Sequence, residues 1–467
     1  MKGQRSIMFR MKVLACVFAA AVPAGAAWGQ PRAKGAETPA AVTAKASPAF
    51  DRQRFDALRS EGFDALYNLD YEAARRRFKE LVRLFPDHPA GTQFLAATLW
   101  VQTLNESRRL QASLYNTEAF YAKSQEKTDP RIVAEFRELT ETAKRLAQAR
   151  LARDPRDVEA LYFLGATEGL KAAFAGAVER SFMSALSDGR ESVSKHRDVL
   201  KLDPNYVDAQ VTLGMYDYVV ATLPLIVKLP AAIGGIRGSK KRGLATLAKV
   251  AKEGRFAQDD ARTLLIALLK REKRFAEALT YARELAAKYP RNYLFKLEVA
   301  DALVSKAAQE RAANPQAAAE AEREAFQIFD DLLKPAAGAA PARRGAAPPQ
   351  SALARQADQI HFSYGQALSV AGQSERAARE YLACANVTGA EAGLATMARL
   401  RAAQSFDLAN KRAEALEQYK AVLARPNIYD SHEEARRGLR EPFKRSDADR
   451  PAATSAPDDT ANADGEN

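Results

Sequence analysis

With 467 residues, 47% apolar and 27% charged, the chain is too long for one small core and too apolar for a disordered polymer. Turn residues at strand-like intervals are missing, which excludes an all-β fold, and the formal charge of +12 invites an anionic partner. Only two cysteines occur, Cys16 and Cys384.

Residues 1–29 read as a signal peptide. Lys2, Arg5, Arg10 and Lys12 form a basic start, Val13 to Val22 an apolar centre too short for a membrane span, and Ala24-Gly25-Ala26 or Ala27-Trp28-Gly29 a cleavage region. The mature chain then keeps Cys384 alone, which excludes an internal disulfide, a CxxC redox pair and a cysteine-based zinc site. The expected compartment is the periplasm or another exported location. Residues 30–50, rich in Ala and Pro, read as a linker, and 335–350 as a second low-complexity linker and the best internal boundary. Helical repeats are expected over 51–334 and 351–442, closed by a capping helix near 430–440. Residues 443–467 read as a disordered acidic tail.

The organising signal is a recurrent spacing. Pro155 and Pro204 are each followed ten residues later by a glycine, Gly165 and Gly214, in the alignable segments DPRDVEALYFLG and DPNYVDAQVTLG. Pro86 and Pro290 precede Ala96 and Ala300 by the same interval. Gly62, Ala74, Phe78 and Pro86 mark one unit; Gly365, Ala377 and Tyr381 another, with Cys384 at a small-residue position; Ala403, Ala415 and Tyr419 a last one. Small residues at this spacing let two helices cross closely while an aromatic fills the space beside them.

These motifs resemble the tetratricopeptide repeat, a helix–turn–helix unit of 34 residues. The resemblance implies an all-α fold: a right-handed α-solenoid of helix pairs, with units at 55–88, 89–157, 158–206, 207–258, 259–292, 293–357 (its second half irregular) and 358–425. No unit carries the usual early Trp, and Gly389 stands where one proline should. Three units are enlarged between their helices, near 107–130, 174–190 and 222–240. Such connections emerge on one edge of a solenoid, so they are expected to pack together as one lobe. The stretch 214–244 also resembles the family of the yeast inclusion body clearance protein and its animal relatives, through Gly214, Leu223-Pro224, Lys228, Gly235, Gly238, Lys240 and Gly243-Leu244.

Catalytic patterns are not found. The four histidines are scattered, with no H-E-x-x-H and no G-x-S-x-G, and GGIRGSKKRG carries Ser239 where a phosphate loop needs its second glycine. The expectation is therefore a binding protein, with no enzyme activity, cofactor or metal. Repeat geometry assigns Trp100, Tyr162, Met215, Tyr218 and Phe362 either to a concave groove for a protein or peptide partner, an acidic one being favoured by the net charge, or, residue by residue, to the core between repeats. The alternative is an anionic lipid surface met by an insertion lobe of Leu223, Leu225, Ile226, Lys228, Lys240, Lys241 and Arg242. Nucleic acid is excluded as a partner, because the chain reads as exported.

Overall fold

The computed structural model describes residues 50–108, 128–179, 181–222, 238–334, 356–428 and 430–445. Every regular element among them is helical. In chain order they are α1 (Arg52–Tyr67), α2 (Tyr71–Leu84), α3 (Pro89–Glu106), α4 (Pro130–Arg153), α5 (Val158–Ala177), α6 (Phe182–Leu202), α7 (Gln210–Thr222), α8 (Lys240–Glu253), α9 (Gln258–Arg271), α10 (Phe275–Lys288), α11 (Tyr293–Glu310), α12 (Pro315–Leu333), α13 (Ala357–Val370), α14 (Ser374–Asn386), α15 (Ala392–Leu408), α16 (Arg412–Leu423) and α17 (Ser431–Arg440). A single 3₁₀ turn, Val207–Ala209, leads into α7.

Two recurrent turns punctuate this order. Between helix pairs, Pro86, Pro155, Pro204 and Pro290 each follow a residue whose carbonyl accepts from an N–H three residues on: Phe85 from His88, Asp154 from Asp157, Asp203 from Tyr206 and Tyr289 from Asn292. Proline presets the backbone for that second turn position and lacks the N–H that a continuing helix would use. Within pairs, the chain reverses through one left-handed residue: Leu69 (φ 62°), Lys273 (57°), Gly372 (80°) and Asn410 (59°). In all four, the next N–H bonds a carbonyl five residues back, as Asp70 does to Ala65 and Lys411 to Phe406. This closure satisfies the open carbonyls of the ending helix. Side-chain caps start the next helices, with Asp70, Asp157, Asn292 and Asn314 accepting from backbone N–H groups.

Consecutive helices pack as pairs, α1 with α2, α5 with α6, α7 with α8, α9 with α10, α11 with α12, α13 with α14 and α15 with α16, and α17 covers the last pair. The small residues sit at the crossings. A Cβ on Gly62 would lie 2.2 Å from the Phe78 ring, and one on Gly365 2.7 Å from Tyr381. In the α7–α8 pair a Cβ on Gly243 would stand 2.7 Å from the Gly214 carbonyl oxygen, so here backbone meets backbone. Phe55, Leu58, Phe78, Leu81, Ala143, Ala147, Leu247 and Tyr419 are essentially inaccessible to solvent, as is Cys384. Each large apolar side chain so buried contributes about 1.5–3 kcal/mol.

The chain divides into two compact units, one of residues 1–100 and 128–255, the other of 101–127 and 256–467. The boundary expected at 335–350 therefore falls inside the second unit. There α11, before that stretch, is joined to α13, after it, by the Tyr293 hydroxyl donating to Gln359 Oε1 at 2.7 Å. Two further expectations change. Unit 293–357 continues as helix further than expected, since Asn314 caps and Pro315 opens the 19-residue α12, while residues 335–355 lie outside the described residues. The enlargement near 174–190 consists largely of helix, since α5 extends to Ala177 and α6 starts at Phe182. Phe174, in the extended part of α5, stacks on Phe136 of α4 with centroids 3.8 Å apart. Stretch 358–425 holds two pairs, α13–α14 and α15–α16, and the expected cap is α17. The leader, both linkers, the tail from 446 and most of the first and third insertions lie outside the described residues.

Candidate functional site

In the first unit the leading helices of the pairs carry the same pattern. Three and six residues before the crossing glycine stand Arg59 and Asp56 on α1, then Tyr162 and Glu159 on α5; Asp208 holds the equivalent place before Gly214. These side chains meet one another. Arg52 forks onto both oxygens of Glu159 at 3.0 and 3.2 Å, Arg255 pairs with Asp56, and Arg59 donates to the Arg255 carbonyl at 3.3 Å. Asp208 accepts the backbone N–H of Arg255 at 2.8 Å.

Aromatic rings form the wall behind this charged rim. Tyr162 stacks on His196 and lies against Tyr206, with centroids 5.3 and 5.0 Å away. His88 packs among Phe50, Phe55 and Phe163. Its Nδ1 accepts from Ala90 N–H at 3.2 Å, which leaves Nε2–H facing Glu159 Oε2 at 3.3 Å. Burial drives the pKa of His88 down. Burial would raise Glu159, but the hydrogen bonds from His88 and Arg52 outweigh it and hold this carboxyl at about 2. Burial lowers Arg59 despite Asp56 beside it, and raises the Tyr206 phenol, whose hydroxyl is buried without a hydrogen-bond partner. His196, completely enclosed, accepts from Thr212 or donates to it through Nδ1 (2.8 Å) and meets the Tyr162 carbonyl through Nε2 (3.1 Å); burial pushes it to about 4.

The five residues assigned to a groove divide. Tyr162, Tyr218 and Phe362 are 7%, 1% and 6% exposed and belong to the interior, which corrects their assignment as open surface. The reason is packing: Tyr162 is sandwiched by His196 and Tyr206, a Cβ on Gly243 would strike Tyr218, and Phe362 meets Tyr381 edge-on. Trp100 and Met215 are half-buried, and the Trp100 indole N–H is buried without a hydrogen-bond partner. In the lobe, Leu223, Leu225, Ile226 and Lys228 lie outside the described residues, as does any contact among the three insertions. Lys240, Lys241 and Arg242 are exposed in the first turn of α8, capped by Ser239, with Arg242 paired to Asp217. Cations at this positive helix end gain nothing from the helix dipole.

Sequence reasoning missed the charged rim. Its ion pairs join residues 107 and 199 apart and Asp208 meets Arg255 across 47, so the spacing along one helix does not announce the contacts. The second unit holds comparable buried polar links. Arg108 pairs at 3.1 Å with Asp358, which also accepts from the N–H groups of Gln359 and Glu391. Lys270 is buried between Glu298, at 2.6 Å, and Asp301, whose attraction outweighs desolvation and raises its pKa. Among the described residues no His/Cys/Asp/Glu cluster has metal-binding geometry, and no helix is long and apolar enough to cross a membrane.

No family model matches the sequence. No curated protein matches it either. The resemblance of 214–244 to the inclusion body clearance family therefore finds no support. Among solved structures, a monomeric mutant of IFIT1 with Gppp-AAAA is similar at 14% identity and a TM-score of 0.30, covering 84% of this chain and 96% of that one. The human IFIT1 dimer with m7Gppp-AAAA is similar at 14% identity and a TM-score of 0.26, covering 80% and 95%. These proteins are described with nucleic acid, so the exclusion of nucleic acid as a partner, made from the reading of export alone, does not stand.

Proposed function

We propose that this chain is an exported helical-repeat scaffold or assembly factor, a binding protein rather than an enzyme, that holds a protein or peptide partner on the inner faces of its leading helices. The observation that carries this reading is the charged rim of Asp56, Arg59, Glu159 and Arg255, which joins leading helices of the first unit and would orient a partner. Half-buried Trp100 and Met215 on leading helices would supply contact area. Unpaired buried donors at Tyr206 and Trp100 add to it, since such groups are costly unless something bonds them. Affinity capture from an extract of the compartment tests the reading. Partners retained by the wild type should be lost with Trp100→Ala and Met215→Ala while the helical circular-dichroism signal stays unchanged; retention by both variants would refute it.

A second reading, contact with an anionic lipid surface, is favoured by Lys240 and Lys241. They are exposed at the helix end where positive charge is least welcome, a placement that folding alone does not reward. Flotation with anionic vesicles at low salt decides it: the wild type should float and a Lys240→Gln/Lys241→Gln variant should not. A wild type that stays at the bottom ends this reading.

A further inference from the structure

In a stack of helix pairs each pair is held by its neighbours. The first unit adds contacts of another kind. Arg52 on α1 reaches Glu159 on α5, and Asp56 and Arg59, also on α1, reach Arg255 just after α8. Two of these contacts are ion pairs whose Arg52 and Arg255 side chains are 46% and 50% exposed, and the third is the Arg59 hydrogen bond to a backbone carbonyl. Phe55 meets Phe85 and His88, and half-buried Phe63 meets Phe78 and Phe94, so ring contacts that the ion pairs do not make hold α1 to α2 and α3. Breaking the ionic contacts leaves these ring contacts in place.

Behind them lies the Tyr206 hydroxyl, in the turn between the third and fourth pairs, stacked against Tyr162 and without a hydrogen-bond partner. We infer that the ion pairs Arg52–Glu159 and Asp56–Arg255, with the Arg59 hydrogen bond to the Arg255 carbonyl, form a clasp that closes the leading-helix face of the first unit, and that a partner gains Tyr206 and its surroundings by opening it. This rests on the scaffold reading above, whose site it regulates. The more exposed Asp56–Arg255 pair is weak and screened by salt, so the clasp opens first there, with the more buried Arg52–Glu159 pair holding longer.

Nitration of the full-length protein by tetranitromethane, mapped by peptide mass, reads the clasp without any partner. Nitration at Tyr206 should rise about fivefold or more between roughly 0.05 and 0.5 M salt, while the core residue Tyr218 stays unreactive. In Asp56→Asn/Glu159→Gln and, separately, in Arg255→Gln, Tyr206 should react fast at low salt and lose its salt response. Unchanged Tyr206 reactivity in salt and in both variants would overturn the clasp, as would Tyr218 rising in step, which would mean general loosening. Because no partner enters the assay, a failed clasp leaves the scaffold reading to its own capture experiment.

Discussion

The tightest test of the packing is Gly243→Ala. In a helix, alanine in place of glycine gains about 1 kcal/mol. At Gly243 the new methyl would stand 2.7 Å from the Gly214 oxygen, 2.8 Å from the Tyr218 nitrogen and 3.0 Å from Tyr218 Cβ, where ordinary contact begins at 3.4 Å. Two of these atoms are backbone, so relief requires α7 and α8 to separate by several tenths of an ångström along their whole crossing. Overpacking costs about 1–3 kcal/mol, and with two backbone atoms in the way the upper part of that range applies, about 2–3 kcal/mol, which exceeds the propensity gain. The expected net loss is about 1–2 kcal/mol, or a Tm lower by about 2–8 °C for a unit of this size. Gly169→Ala is the control: its methyl meets only Ser192 Oγ at 3.0 Å and Cβ at 3.7 Å, and a hydroxyl can rotate away. Thermal and urea unfolding followed by circular dichroism should place Gly169→Ala at or above wild type and Gly243→Ala below it. Equal or higher stability for Gly243→Ala would refute the close crossing.

Other perturbations follow from the same structure. His196 has its pKa pressed from the ordinary 6.5 to about 4, so folding favours its neutral form. Its contribution is complete above 6.5, falls as pH drops from 6.5 towards 4, and amounts to about 3 kcal/mol at most. Urea titrations at pH 7 and just above 4 should show the wild type losing more stability than His196→Gln; an equal loss contradicts the assignment. Lys270→Ala leaves Glu298 and Asp301 facing each other beside a buried gap, and should cost about 3–5 kcal/mol in urea unfolding. Lys273→Gly relieves a left-handed lysine in the α9–α10 turn and should gain about 0.5–1 kcal/mol by the same measurement. Tyr206→Phe removes a hydroxyl that nothing bonds, so its Tm should match or exceed wild type; a fall of several degrees would show that the hydroxyl is bonded within the fold.

Much of the fold was legible because it is local and repeated. The four prolines named from spacing each occupy the second position of the same turn between pairs, and Gly62 with Phe78 or Gly365 with Tyr381 meet as small-against-aromatic crossings. The turn within each pair was less legible, because Leu69 and Lys273 take a left-handed conformation that sequence normally signals with glycine. The candidate site was read only in part. A helical period tells which side of α5 or α7 a tyrosine occupies, but how far that side is covered depends on how tightly the stack curves. For Tyr162 and Tyr218 the cover is complete, supplied by His196 and Tyr206 in one case and by the Gly243 crossing in the other. The charged rim joins residues far apart in the chain, and each of its members alone looks like an ordinary solvated charge.

The scaffold claim is tested most directly by position-specific photocrosslinking in full-length protein. A benzophenone side chain at half-buried Met215 on α7 is compared with one at exposed Arg83 on α2. The account predicts a discrete protein adduct from Met215, stronger at the salt that opens the clasp, and none from Arg83. Adducts of equal yield from both positions, or from Arg83 alone, would contradict it.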